Sequence, residues 1–155
     1  MAHGWIKPRF LRAEIEKSVV VTVTAAQMLA LNATPIELVP APGKGKAIVF
    51  KGAQLHLDFE SAAYAGIAVG EDLAIKYTDA AGDQVAEIET TGFLDATADA
   101  YRWAYPATAL AATISESTPV EDAALVAHML VGEVTTGDSP LHIKVFYRVV
   151  DLDLS

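Results

Sequence analysis

The chain alternates apolar and polar residues with a period of two along most of its length. Val19, Val21 and Val23 fall on one face of a strand, with Val20, Thr22 and Thr24 on the other. β-branched residues at this period suit a pleated, half-buried surface. Thr24 then reads as a helix cap ahead of Ala25-Ala-Gln-Met-Leu-Ala-Leu, which predicts one short helix near residues 25–31, with Asn32 as its stop. Pro35-Ile-Glu-Leu-Val opens a second strand, and Pro40-Ala-Pro-Gly-Lys-Gly-Lys is turn chemistry throughout. Ala47 to Phe59 is a long strand, bulged near Gly52, in which Ala53, Leu55, Leu57 and Phe59 alternate with Gln54, His56 and Asp58. Leu73, Ile75 and Tyr77 give the next strand, Asp79-Ala-Ala-Gly-Asp a tight turn, and Gln84 to Glu89 the return strand of a hairpin.

Further on, a short helical turn is expected around Phe93-Leu-Asp. Tyr101, Trp103 and Tyr105 stand at alternate positions and place an aromatic stripe on one face of a strand. The default reading puts that stripe in the core; exposed, it would suit an oligomer interface or a carbohydrate platform. Thr108 to Pro119 reads as loop and edge strand. Ala123 to Val131 is apolar on both faces except at His128, as a central strand is. Leu141, Ile143, Val145, Tyr147 and Val149 form the clearest core face. Leu152 and Leu154 lie on the other parity, which calls for a bulge near Val150 or a tail packed elsewhere. About eight strands with turns at regular spacing and one short helix predict an all-β fold, an antiparallel β-sandwich of jelly-roll type.

Composition supports one hydrophobic core. The chain has 155 residues, 52% of them hydrophobic and 20% charged, and no cysteine. Disulfides and thiolate metal sites are therefore excluded. The net charge of −9 disfavours nucleic acid and anionic membrane as partners. No apolar run approaches the roughly 18 residues of a membrane span. The charge is uneven: Lys7, Arg9, Arg12 and Lys17 are four of the eleven basic residues, and after Lys17 eighteen acidic residues face seven basic ones. Residues 1–17 thus read as an N-terminal arm, extended or partly ordered, and residues 18–155 as the sandwich domain. In the arm, Trp5 and Phe10 are candidate aromatic anchors, with Lys7, Arg9 and Arg12 as partners for carboxylates on a neighbour. Tyr64, within a small-residue loop, joins Tyr101, Trp103 and Tyr105 as a candidate oligomer contact.

A search for chemistry finds no constellation. His3, His56, His128 and His142 lack HxH or HExxH spacing. His56 and His142 lie on polar strand faces and could meet across the sheet, but fortuitous surface placement is the expected arrangement; His128 is expected to be a hydrogen-bonded interior or interface residue. There is no GxSxG elbow and no GxxxxGK[ST] loop. The pairs Glu71-Asp72, Glu121-Asp122, Glu87 with Glu89, and Asp151 with Asp153 read as solvating charge, not as acid–base machinery. No enzyme activity, no cofactor and no metal site is expected.

Several longer stretches resemble small virion proteins of tailed bacteriophages. They are Val21 to Gly43, Ala63-Tyr-Ala-Gly, Leu73-Ala-Ile-Lys-Tyr-Thr-Asp, Thr136-Gly-Asp-Ser-Pro-Leu and Val145-Phe-Tyr-Arg-Val-Val. These are strand and turn motifs, not catalytic ones. The resemblance is to head decoration (cement) proteins, and implies a structural protein on the outer surface of the capsid, made in the host cytoplasm. It further implies the major capsid protein as partner and a homotrimer as the assembled form. A receptor- or glycan-binding module on the virion, or a tail or neck protein, are the alternatives.

Overall fold

Alternation is realised as eight strands, β1 (Lys17–Val23), β2 (Ile36–Val39), β3 (Lys46–Leu57), β4 (Leu73–Tyr77), β5 (Gln84–Ile88), β6 (Ala100–Ala104), β7 (Leu125–Met129) and β8 (Leu141–Asp151), with one helix, α1 (Ala25–Met28). The structure is a computed structural model that describes residues 15–106 and 119–153. The strands form two four-stranded sheets, ordered β1-β8-β3-β6 and β2-β7-β4-β5, and every pairing between them is antiparallel. Successive strands change sheet at each step except the β4–β5 hairpin. This is the jelly-roll arrangement of a β-sandwich. The expected fold class is therefore the observed one.

The inner faces follow from the sequence period. Val23, Leu55, Leu57, Ile143 and Val145 of the first sheet are fully buried, as are Leu73, Ile75, Leu125 and Met129 of the second. Tyr77 crosses the sandwich: its hydroxyl donates to the Ile48 carbonyl at 2.5 Å, so a β4 side chain is tied to β3 in the opposite sheet. β3 holds the bulge. Phe50 pairs with Tyr147 but Gly52 pairs with Phe146, so one extra residue sits in β3. The buried parity thereby changes from Ile48 and Phe50 to Ala53, Leu55 and Leu57, and both halves of a 12-residue strand face the core. β8 itself pairs without a shift through Asp151. The bulge expected near Val150 is thus absent; Leu152 continues the ladder with an N–H to the Gly45 carbonyl (2.8 Å) and remains 42% exposed.

α1 ends at Met28, earlier than the expected residue 31, and the chain continues in turns that bury Leu31. Its start is as expected: the Thr24 hydroxyl accepts from Gln27 N, and Gln27 Oε1 accepts from Thr24 N at 2.9 Å. Two orphan N–H groups are satisfied by one capping box. The turn at Thr90–Ala96 places Phe93 and Leu94 in the core. β7 is the central strand that its apolar composition predicts, lying between β2 and β4 with all five residues buried.

Candidate functional site

The outer face of the β1-β8-β3-β6 sheet carries the residues that the core does not use. Register places them in rows across the strands. Thr22, His142, His56 and Tyr101 lie in one row; Val20, Lys144, Gln54 and Trp103 lie in the next. Ser18, Phe146 and Gly52 begin a third, beside which Tyr105 stands two residues beyond Trp103. Tyr101, Trp103 and Tyr105 are 54%, 55% and 72% exposed. The default expectation that this stripe packs in the core is therefore corrected. The opposite face of β6 is Ala100, Arg102 and Ala104, and its space is already filled: Arg102 Nη2 donates to the Gly92 carbonyl (2.7 Å) and its guanidinium lies 5.2 Å from the Phe93 ring. An edge strand of small residues and one arginine fits over the Phe93 turn; three large rings would not.

Tyr64 is the second correction. It is 1% exposed, and its hydroxyl donates to the Ser139 carbonyl at 2.6 Å. Burial pushes its phenol up to about 12, with Asp138 and Glu60 adding to the shift. A side chain enclosed in its own domain is not an oligomer contact. Trp5, Lys7, Arg9, Phe10 and Arg12 lie outside the described residues.

Trp103, Tyr105, Phe146 and the β3 bulge border a groove of about 290 Å³, which Glu16 and Lys51 also line. A second groove, about 230 Å³, runs between the Pro40–Pro42 turn and Tyr147 and is lined by Lys17. The first described residues thus leave β1 with a groove on either side.

His56 and His142 do meet across the sheet, the arrangement their parity allowed but did not favour. His56 and His142 are register partners with ring centroids 5.7 Å apart, and His56 stacks on Tyr101 at 4.4 Å with the rings 4° from parallel. His142 Nε2 lies 3.6 Å from Asp58, and His56 Nε2 lies 3.8 Å from Asp99. The arrangement joins β3, β6 and β8, whose sequence separations hid it. The only signal was their shared polar parity. His128 is buried as expected, with Nε2 3.1 Å from the Asn32 carbonyl.

Glu71, Glu121 and Asp122, expected to be solvating charge, are structural clamps instead, and Glu133 and Asp138 act in the same way. Glu121 and Asp122 accept the N–H groups of Gly45 and Gly43 (2.7 and 2.8 Å) and close the Pro40–Lys46 turn. Glu71 is 2% exposed and accepts the Ala68 N–H at 2.6 Å. Glu133 accepts the N–H groups of Asn32 and Ala33 behind α1. Asp138 accepts the Ala62 N–H at 2.9 Å, together with the Ser61 hydroxyl and N–H, which hold its carboxyl below the usual range. Backbone N–H groups left unpaired in turns need such partners, and these carboxylates provide them through charge-assisted hydrogen bonds. Asp72 is shifted upward, chiefly by desolvation and against the Thr90 N–H, with Glu89 and Glu87 adjacent.

His128 gives a testable pH dependence. Burial, with Lys76 nearby, lowers its folded-state pKa below the usual 6.5. The neutral form is favoured by folding, so its contribution is complete above pH 6.5. Acidification below 6.5 protonates the unfolded chain first, and stability falls until the folded-state pKa is passed. Urea unfolding of the wild type is expected to lose more stability between pH 7.5 and 5.5 than that of His128→Gln. Equal losses in the two proteins would contradict this account.

No protein-family model matches the sequence, and no curated protein matches it. Among solved structures, a chain of the capsid of Ralstonia phage GP4 aligns with 88% of this chain and 85% of its own length, at 16% identity and a TM-score of 0.47.

Proposed function

We propose that this chain is a structural protein of a tailed-phage virion, and within the virion a decoration protein that binds the outside of the capsid and stabilises the head. The observation that carries this reading is the exposed aromatic face of the β1-β8-β3-β6 sheet. Large rings on solvent-facing strands mark binding surfaces, because their apolar area is worth burying against a partner. Tyr101, Trp103 and Tyr105 stand at the β6 edge of a rigid scaffold, where another copy of the chain can cover both rings and strand edge. The motifs that resemble virion proteins support the same reading by their structural work: the Ala63–Gly66 and Thr136–Leu141 stretches are tied by the Tyr64 hydroxyl to the Ser139 carbonyl, and Asp138 accepts the N–H of the adjoining Ala62.

The division of labour is as follows. The aromatic edge makes the homotrimer, and the basic arm with Trp5, Lys7, Arg9, Phe10 and Arg12 engages carboxylates of the major capsid protein. A subunit that binds across joints between capsid proteins adds buried area to the assembled state, and so raises the free energy of separating them. The body's acidic surface keeps it away from nucleic acid and anionic membrane.

Removal of residues 1–16 is expected to leave a folded domain that no longer co-sediments with heads of the phage that encodes it. Co-sedimentation equal to that of the full chain would refute the arm's role. The groove beside Trp103 and Tyr105, with Glu16 and Lys51 at its rim, favours a glycan-binding module as the second reading. Glycan-array binding that disappears in Trp103→Ala would select it over the decoration role.

A further inference from the structure

We propose that His56, Asp58 and Asp99, with His142 as a fourth donor, form a binding site for one divalent transition-metal ion, Zn²⁺ by its chemistry, at the end of the β1-β8-β3-β6 sheet. One donor atom from each of His56, Asp58 and Asp99 lies within 4.8 Å of the others. His142 Nε2 is 3.6 Å from Asp58 Oδ2. A tetrahedral zinc site with bonds of about 2.0–2.2 Å holds its donors roughly 3.4 Å apart. His142 stands just outside that three-donor group, and the two aspartates that would draw the donors together are about half exposed, at 53% and 54%.

The imidazoles are prepared for this role by their outer contacts. His142 Nδ1 is within 2.9 Å of the Thr22 hydroxyl, which leaves Nε2 turned toward Asp58. Asp99 Oδ1 accepts the Phe59 N–H at 3.0 Å, which leaves Oδ2 turned toward His56. The Tyr101 ring, parallel to His56 at 4.4 Å, fixes the plane of that imidazole. Such outer partners orient ligands in metal sites and tune affinity. A separate observation points to the same place. His56 Nε2 is buried at the level of the atom and has no hydrogen-bond partner among the described residues. A buried, unpaired imidazole nitrogen is costly, and a metal ion in front of it removes the cost.

The donor set selects the ion. Ca²⁺ and Mg²⁺ prefer all-oxygen shells, whereas imidazole with carboxylate suits Zn²⁺ and its neighbours. Asp58 follows β3, Asp99 precedes β6 and His142 belongs to β8. The ion therefore ties the ends of three strands together and pins the edge strand that carries the aromatic rings.

The test uses the full chain, stripped with a chelator and titrated with ZnCl₂ in a calorimeter. One ion per chain is expected, with a rise in Tm on addition of Zn²⁺. His56→Gln should lose both effects, and Thr22→Val should weaken binding roughly tenfold through His142 alone. Mn²⁺ added to the wild type should broaden the His56 and His142 ring resonances before those of His3 and His128, a measurement that needs no variant. Absence of binding at millimolar Zn²⁺, affinity unchanged in both His56→Gln and Asp99→Asn, or broadening confined to His3 would each overturn the proposal.

Discussion

Gly137→Ala is expected to destabilise the domain by about 2–6 kcal/mol. Two separate costs meet at this position. The backbone has φ +93°, a region that costs a side-chain-bearing residue about 1–3 kcal/mol. A Cβ built there would lie 2.3 Å from Tyr64 Cδ1 and 2.7 Å from two further ring atoms. Tyr64 has no room to yield, since it is buried and its hydroxyl is bonded to the Ser139 carbonyl. Overpacking of a closed site adds about 1–3 kcal/mol. Gly43→Ala separates the two costs: its φ is +97°, but nothing lies within 4 Å of the added carbon. It should show only the backbone cost. Chemical denaturation of both variants checks this, and equal losses would mean that the Tyr64 ring does not close on residue 137.

The second large effect concerns the inner face of the first sheet. Leu55→Ala should cost about 2–5 kcal/mol, because Leu55 is fully buried in the central strand β3 and its removal leaves a cavity under both sheets. Its neighbour Gln54 points to the outer face between Lys144 and Trp103. Gln54→Ala should stay within about 0.5 kcal/mol. The contrast reads the register directly. Against a total stability of about 5–15 kcal/mol, the Leu55 loss would shift the urea midpoint far while leaving the slope unchanged. A large effect at Gln54 with a small one at Leu55 would place the bulge of β3 elsewhere, since a slip of one residue exchanges the faces.

Leu55 and Gly137 both lie away from the outer face that carries Tyr101, Trp103 and Tyr105: Leu55 is fully buried on the inner face, and Gly137 lies against the buried Tyr64. If that face binds as proposed above, any folded fraction of Leu55→Ala or Gly137→Ala should bind as the wild type does.

The sequence by itself determined the fold class. Alternation in Val19 to Val23, Leu73 to Tyr77 and Leu141 to Val149 sets strands with one buried face, because a period of two leaves no other geometry. The change of parity between Phe50 and Ala53 marks the bulge for the same reason. Thr24 and Gln27 fix the start of α1 through a contact only three residues long. What local pattern could not determine was which face a strand would bury or which distant residues would meet. Tyr101 and Trp103 in β6, with Tyr105 just past its end, show a common face; only the Phe93 turn, already beneath the strand, turns that face to solvent. Tyr64 is buried because Gly137 and Ser139 close over it from some seventy residues away. His56 and His142 become neighbours only when β3 pairs with β8. Glu121 and Asp122, which read as surface charge, became clamps once their targets, the N–H groups of a distant turn, were brought to them. The local period chooses the element, but in a jelly roll nearly every partner comes from the opposite sheet or a distant strand, and that choice belongs to the tertiary structure.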